Sequence, residues 1–364
     1  MAFHEFIVSV VHGRSFLLVV GTLGLYGCAV VGPQSITAGR GVYTEVINRT
    51  EDEQILNVLV RMRYDETFGM ISVVSVTANL RFSAQAGAEI GVGDSANYVG
   101  SLVPLSAGVA YEENPTISYV PLNGEAFMRR MISPISVTEW FLISGPIKQK
   151  GRVLELAVRR VNGLRNPFPG DEPPSPEFAR FVELYDRLRR AGVLDIVQAP
   201  ETGKEGNYFW DIHDYEGAPG HSVREFLDLL GIDVKLDGSA ILLPVRTTVG
   251  RSTSAIHVQM RSAYDVLRAF AVGIEIPSAH LAAGIVEPLT LAVSEESQIF
   301  QIRSSENRPD DATVQIRFRD RWFYIDATDT LSKRAFMFLR TFIGMRLADP
   351  GEAQRAPVLT IPVN

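Results

Sequence analysis

Cys28 is the residue whose chemistry is easiest to judge from the sequence, because it is the only cysteine in the chain. It ends the tetrapeptide Leu25-Tyr26-Gly27-Cys28, which follows an uncharged apolar run over residues 16–25. An apolar run that begins after a basic residue, here Arg14, and ends in small residues is the layout of a secretory signal peptide. We therefore predict a lipobox, with cleavage before Cys28 and lipid attached to its thiol.

An uncleaved membrane helix is the alternative interpretation of the same stretch. A spanning helix needs about 20 apolar residues, and His12-Gly13-Arg14 interrupts the apolar sequence. One acyl chain would hold the protein at a membrane only reversibly, whereas bacterial lipoproteins carry several on one cysteine. Because Ala29, and not an aspartate, follows Cys28, the enteric sorting rule predicts the outer membrane.

A second group that could do chemistry is Asp211, His213 and Asp214, with His221 nearby. Carboxylate oxygens and imidazole nitrogens are potential metal ligands. Their spacing does not match a zinc pattern with two histidines one helical turn apart, so no metal is assigned. Hydrogen bonds of a polar loop to its own backbone explain the same residues. A periplasmic metal-binding protein or enzyme around His213 remains one hypothesis.

Asp326 and Asp329 are the remaining pair of interest. Two carboxylates can act as acid and base if a pocket separates their pKa values. Carboxylates ahead of a helix are more often caps, and Asp329 suits that role. The Gly-x-Ser-x-Gly pattern of the α/β-hydrolases does not occur. We therefore predict no catalytic residue and no cofactor.

The composition excludes several classes of protein. The chain has 364 residues, 46% of them hydrophobic and 21% charged, which is typical of a globular protein. Its net charge of −7 argues against a nucleic-acid partner, which requires a basic face. With Cys28 lipidated no thiol remains, so disulfides and cysteine zinc sites are excluded.

The most regular pattern follows a predicted helix over residues 44–64. Residues 72–93 alternate between apolar and polar side chains, which predicts a long strand with one dry face. A turn at residues 94–97 and a returning strand complete a predicted β-hairpin over residues 72–111. The hairpin either curves within a water-exposed sheet or contributes to a β-barrel shared by several subunits, because a membrane-spanning strand needs only about 9–11 residues.

The predicted fold class is α+β, with an N-terminal helix, a long β-hairpin and then a mixed α+β C-terminal domain. Four prolines within residues 167–174 predict a border there. The predicted organisation is a signal peptide over residues 1–27, a tether over 28–42, a helix-and-hairpin domain over 43–165, a linker over 166–176 and an α+β domain over 177–364.

Local patterns predict the elements around these borders. We expect helices over residues 137–144, 176–191, 223–230, 262–271 and 331–347. Ser175 and Ser222 are predicted to cap the second and third of these helices, and Gly192 and Gly231 to end them. A turn is predicted at Asn162-Gly163. We expect strands over residues 117–120, 153–161, 240–245, 255–260, 298–302, 313–318, 322–325 and 358–361. Residues 203–220 are rich in polar side chains and glycine and are predicted to form a loop.

Several segments resemble a group of bacterial envelope lipoproteins to which no activity is assigned. The segments lie over residues 53–57, 60–65, 114–122, 318–325, 332–336 and 357–362. The resemblance implies an envelope lipoprotein and nothing more specific.

Three hypotheses follow from the sequence. The first is a non-enzymatic, outer-membrane-anchored lipoprotein that faces the periplasm and has a structural or assembly role. The second is a subunit of an oligomeric outer-membrane channel whose 72–111 hairpins share a barrel. The third is the metal-binding protein or enzyme around His213. The expected partners are the membrane, through lipid on Cys28, and either further copies of the chain or other envelope proteins.

Overall fold

The computed structural model describes residues 41–88, 105–122, 124–144, 150–169, 172, 175–198, 208–289, 300–347 and 359–362. The predicted signal peptide, Cys28 and the predicted hairpin turn at residues 94–97 lie outside these ranges. The chain divides into two compact units, Met1–Gln54 and Ile55–Asn364. Within the described residues the fold is mixed α+β, which confirms the predicted class.

The first helix, α1, spans residues 41–63, close to the predicted range of 44–64. Its C-terminal part belongs to the second unit, where Ile55, Leu56 and Leu59 are buried. This spacing places one apolar stripe against the core, which is the usual reason that an amphipathic helix forms.

The predicted hairpin is present as a pair of long antiparallel strands, β1 (Met70–Ala88) and β2 (Leu105–Leu122). Their register runs from Met70 opposite Leu122 to Ala88 opposite Leu105. The segment predicted as a separate short strand, residues 117–120, is the end of β2. A later strand, β12 (Leu359–Pro362), pairs with β2 and completes a sheet of order β1-β2-β12.

A six-stranded sheet forms the centre of the second unit, in the order β4-β3-β8-β7-β6-β5. Its strands are β3 (Val158–Val161), β4 (Leu164–Arg165), β5 (Leu194–Gln198), β6 (Tyr208–Ile212), β7 (Ile241–Arg246) and β8 (Ile256–Met260). The sheet takes strands from both sides of residues 166–176. The predicted linker therefore does not coincide with a division between compact units.

Helices accompany this sheet and the segments around it. They are α2 (Gly124–Ile132), α3 (Val137–Ser144), α4 (Lys150–Ala157), α5 (Pro176–Ala191), α6 (Ala218–Leu230), α7 (Ala263–Ala271) and α8 (Ser278–Ala282). A third sheet, of order β10-β11-β9, contains β9 (Arg303–Ser305), β10 (Ala312–Phe318) and β11 (Arg321–Asp326). The helix α9 (Thr330–Leu347) follows it.

Three sequence-based assignments were wrong. Residues 203–220 were predicted as a loop, yet β6 lies within them and Trp210 is fully buried between Phe181 and Phe226, at ring-centroid distances of 6.3 and 5.7 Å. Polar and glycine-rich flanks concealed the alternation of apolar and polar residues in β6.

The strand predicted over residues 153–161 is helical up to Ala157, because short apolar runs do not distinguish helix from strand. The strand predicted over 298–302 contributes only an isolated bridge at Ile302, and residues 298–299 lie outside the described ranges.

Helix ends mostly follow the predicted capping chemistry. Ser175 accepts a hydrogen bond from the Phe178 amide at 3.1 Å and caps α5. Gly192 and Gly231 end α5 and α6 in the left-handed region, with φ of 70° and 65°, as expected for C-terminal glycines. Ser222 was predicted as a cap but lies inside α6, which begins one turn earlier after Gly217.

Asn162, in the predicted Asn162-Gly163 turn, joins the end of α6, the segment between β7 and β8, and β8 itself. Its side-chain amide donates to the carbonyl oxygens of Leu230 at 3.0 Å, Ala255 at 3.1 Å and Ser252 at 3.3 Å. Its Oδ1 accepts from the His257 amide at 2.7 Å. The side chain is buried, so its removal would break all of these hydrogen bonds inside the protein.

We predict that Asn162→Ala destabilises the protein by about 3 kcal/mol, because a buried polar group left without a partner costs about 1–3 kcal/mol. Urea unfolding followed by circular dichroism measures the change. Asn307→Ala is the matched control, since Asn307 is exposed and surface changes usually cost less than about 0.5 kcal/mol. Equal unfolding midpoints for the two variants would contradict the assigned role.

Candidate functional site

Five arginines line one cavity beside the β3–β4 hairpin. The cavity has a volume of about 390 Å³, within the range of about 300–1,000 Å³ typical of ligand sites. Its arginines are Arg159, Arg160, Arg165, Arg261 and Arg268, and Asn166, Pro167, Phe168, Glu172 and Asp265 complete the lining. We call it the arginine cavity.

A β-bulge brings two adjacent arginines to this cavity. Val158 pairs with Met260 and Arg160 pairs with Gln259, so Arg159 is an extra residue in β3. A bulge redirects the side chains of the bulged strand, and both Arg159 and Arg160 line the cavity. In an unbulged strand, neighbouring side chains point to opposite faces.

The β3–β4 hairpin places like charges opposite each other. Arg160 pairs in register with Arg165, and like charges at directly opposed positions destabilise a sheet. Glu172 lies 3.8 Å from Arg165, and both side chains are largely exposed, so this ion pair offsets little of the repulsion. The pairing of Arg160 with Arg165 therefore lowers the stability of the hairpin and does not contribute to it.

Arg261, at the end of β8, is a buried cation with only 3% exposure. Its Nη2 donates to the carbonyl oxygens of Asn166 at 2.9 Å and Pro167 at 2.8 Å. Burial lowers the pKa of Arg261 to about 10, and nearby Asp265 opposes that shift. The guanidinium therefore stays charged at pH 7, and backbone carbonyls satisfy its hydrogen bonds without cancelling its charge.

Phe168 connects the two arginines of the β8–α7 segment. Its ring lies 4.4 Å from the Arg268 guanidinium carbon and 5.3 Å from that of Arg261, within the range of cation–π attraction. Asp265 is held in the capping box of α7, where its Oδ2 accepts from the amide and the hydroxyl of Ser262 at 3.1 and 2.8 Å. Among the described residues that line the cavity, the five arginines face two carboxylates, Asp265 and Glu172, an excess of three positive charges.

A second cavity of about 190 Å³ shares Phe168 and Arg268 with the first. Its apolar lining comes from Met62, Phe168, Pro169, Ala271, Val272, Pro288 and Leu289. Arg63 also lines it and donates to the carbonyl oxygen of Glu287 at 3.0 Å. Among the described residues, the Nε of Arg63 is buried without a hydrogen-bond partner. Phe168 and Arg268 therefore line both cavities, which lie side by side.

The structure places His213 just after β6, beside two carboxylates. Its Nδ1 lies 3.2 Å from Asp214 and its Nε2 lies 3.5 Å from Asp195. The hydrogen bond to Asp214, assisted by that to Asp195, raises the pKa of His213. His221 lies in α6. Within the described ranges, no group of three or more His, Cys, Asp or Glu side chains is arranged to hold a metal ion.

Asp326 and Asp329 have the local roles expected of turn and cap residues. Asp326 Oδ1 accepts from the amide of Thr328 at 2.9 Å and from its hydroxyl at 2.6 Å. Asp329 Oδ1 accepts from the Ser332 amide at 3.0 Å and caps α9, as predicted. Both carboxylates therefore accept hydrogen bonds from residues two or three positions further along the chain.

Tyr64 and His280 form a hydrogen-bonded pair that the sequence did not reveal, with Tyr64 Oη 2.7 Å from His280 Nδ1. Burial raises the pKa of Tyr64. Burial, together with Arg321 and Arg319, lowers the pKa of His280. Both shifts favour the neutral forms of these side chains at pH 7.

Sequence reasoning also missed the arginine cavity. The Arg159-Arg160 pair beside the predicted Asn162-Gly163 turn was visible, and a charged pair next to a turn is a detectable signal. Arg261 and Arg268 follow about a hundred residues later, and only the pairing of β3 with β8 brings them to the same place.

Comparison with known proteins adds no family. No protein-family model matches the chain, and neither a curated protein nor a solved structure shows significant similarity to it. Of the helices that the structure describes, none combines the length and the apolar character needed to cross a bilayer.

The contributions of His280 and His213 to the stability of the fold should depend on pH with opposite signs. His280 has a folded-state pKa below the unfolded value of about 6.5, so its contribution to stability is present above pH 6.5 and is lost as the pH falls. His213 has a raised folded-state pKa, so its contribution is present below pH 6.5 and is lost as the pH rises through the raised value.

We predict that His280→Gln reduces the loss of stability on acidification, whereas His213→Gln reduces stability mainly at low pH. Urea unfolding of wild type and both variants between pH 5 and 8 measures these differences. A stability difference between wild type and either variant that does not change with pH would contradict the corresponding assignment.

Proposed function

We propose that this protein is a lipid-anchored envelope lipoprotein that acts by binding an anionic ligand, in a structural or assembly role and not as an enzyme. The observation that carries the binding role is the arginine cavity, with five arginines and two carboxylates. Arginine keeps its charge at neutral pH and matches carboxylate and phosphate groups with its planar fork. It is suited to holding an anion and not to exchanging protons.

The energetic cost of the cavity supports this proposal. Arg160 lies opposite Arg165, and Arg261 keeps its charge although it is buried. The chain as a whole carries a net charge of −7, so this local excess of positive charge opposes the overall balance. Positive charge concentrated in a cleft raises the local concentration of anions.

The anchor is the second part of the proposal. The apolar run over residues 16–25, the small residue before Cys28 and the absence of any other cysteine all favour lipidation of that thiol. The resemblance to envelope lipoproteins supports the same location, the periplasmic face of the outer membrane. Ala29, and not an aspartate, follows Cys28, in keeping with that membrane.

We predict that radiolabelled palmitate marks the wild-type protein in bacteria and that Cys28→Ala abolishes both the label and the recovery in the membrane fraction. The reason is that lipid on this thiol is the proposed attachment. Ala29→Asp is the matched control, because it should keep the label and move the protein to the inner membrane. A wild-type protein without label would overturn the anchor.

An oligomeric channel is a second candidate function, favoured by the length of the β1–β2 pair. The strands stay in register from Met70 opposite Leu122 to Ala88 opposite Leu105, which exceeds the roughly 9–11 residues that cross a bilayer. A single hairpin would leave backbone groups at its edges unpaired in lipid, so several copies would have to contribute.

The two candidate functions predict different molecular masses for the assembled protein. For the binding protein we expect Cys28→Ala to purify without detergent as a monomer, whereas a channel subunit would require detergent and form a closed oligomer. Native mass spectrometry and light scattering distinguish these outcomes. A detergent-dependent oligomer of the variant would favour the channel over the binding protein.

A further inference from the structure

We infer that the ligand of the arginine cavity carries a diphosphate group. The inference rests on the anion-binding role proposed above and specifies the chemical class of the ligand. It follows from the charge that remains unbalanced in the cavity, from the origin of its arginines and from the second cavity beside it.

The charge balance favours two adjacent phosphoryl groups. In the part of the lining that the structure describes, five arginines face two carboxylates, which leaves three positive charges. A carboxylate would neutralise one of them and a phosphate monoester about 1.5 to 2. A diphosphate carries about three negative charges at neutral pH, because one phosphoryl group carries one charge and the terminal group carries about 1.5 to 2. It therefore matches the excess.

The arginines come from two separate parts of the fold. Arg159, Arg160 and Arg165 belong to the β3–β4 hairpin, whereas Arg261 and Arg268 belong to the β8–α7 segment. Arg261 is fixed by the carbonyl oxygens of Asn166 and Pro167. Two sets of donors on different elements suit a ligand with two anionic groups better than a ligand with one.

The adjoining cavity gives the ligand room for a substituent. Its apolar lining includes Met62, Ala271, Val272 and Leu289, and it shares Phe168 and Arg268 with the arginine cavity. The diphosphate could therefore be free or could be the head of a lipid whose first apolar groups enter the second cavity. The diphosphate is common to both sources.

The test is a calorimetric titration of the purified full-length protein in detergent, at constant ionic strength, with inorganic phosphate, inorganic diphosphate and farnesyl diphosphate. We expect diphosphate to bind at least about tenfold more tightly than phosphate, which corresponds to 1.4 kcal/mol. Raising the salt concentration should weaken this binding, because added ions screen the attraction.

The variants Arg160→Gln and Arg268→Gln remove one arginine from each part of the fold, and each should weaken diphosphate binding by at least about tenfold. Arg246→Gln is the matched control, because Arg246 is exposed and does not line the cavity. Thermal unfolding of all three variants separates a loss of binding from a loss of folding. If a variant does not fold, the comparison of the three ligands with wild-type protein still decides the inference.

The outcomes are distinguishable. Equal affinities for phosphate and diphosphate would overturn this inference and leave the anion-binding function intact, whereas no binding of any of the three anions would overturn both. Tighter binding of farnesyl diphosphate, reduced to the level of inorganic diphosphate by Val272→Asn, would identify a lipid as the source. Equal binding of the two diphosphates would support the inference and identify a free diphosphate.

Discussion

A buried guanidinium requires hydrogen-bond acceptors. The acceptors of Arg261 are backbone carbonyl groups, and these hydrogen bonds fix the path of the backbone around the site. Arg261 donates hydrogen bonds to the carbonyl oxygens of Asn166 and Pro167. These bonds hold the segment after β4 against the end of β8. Asn166 is itself buried, and its side chain donates to the carbonyl oxygens of Glu155 and Val158 at 2.7 and 2.6 Å. One network of polar groups therefore joins α4, β3, β8 and the segment that leads to Phe168.

This network explains why a positively charged cavity can persist in a stable protein. The hydrogen bonds of Arg261 are satisfied by neutral carbonyl groups, so the cost of burial is reduced while the positive charge remains. A carboxylate in the same position would have satisfied the arginine and removed the excess charge. Repulsion between Arg160 and Arg165 adds to the cost, and the hairpin that carries them is fixed by the buried side chain of Asn162. The interactions that stabilise this part of the fold therefore lie beside the cavity and not within it.

The sequence predicted the features that depend on local patterns. Strict alternation indicated the long hairpin, and the residues that cap α5 and turn between β3 and β4 were evident from their types. Trp210 was missed because its strand is short and lies between polar and glycine-rich segments. The helix at residues 153–157 was missed because a run such as Val153 to Ala157 has no distinctive period. The cavity could not be predicted, because Arg160 and Arg261 become neighbours only through the pairing of β3 with β8.

The pairing of β12 with β2 determines when the β1-β2-β12 sheet can be completed during folding. Leu359 pairs with Tyr119, which lies far earlier in the chain, so β12 can dock only after all the residues between them have been synthesised. Closing so long a loop carries an entropic cost that local contacts cannot offset early in folding. Until β12 docks, the backbone groups of Thr116 to Tyr119 along this edge of β2 lack their strand partner.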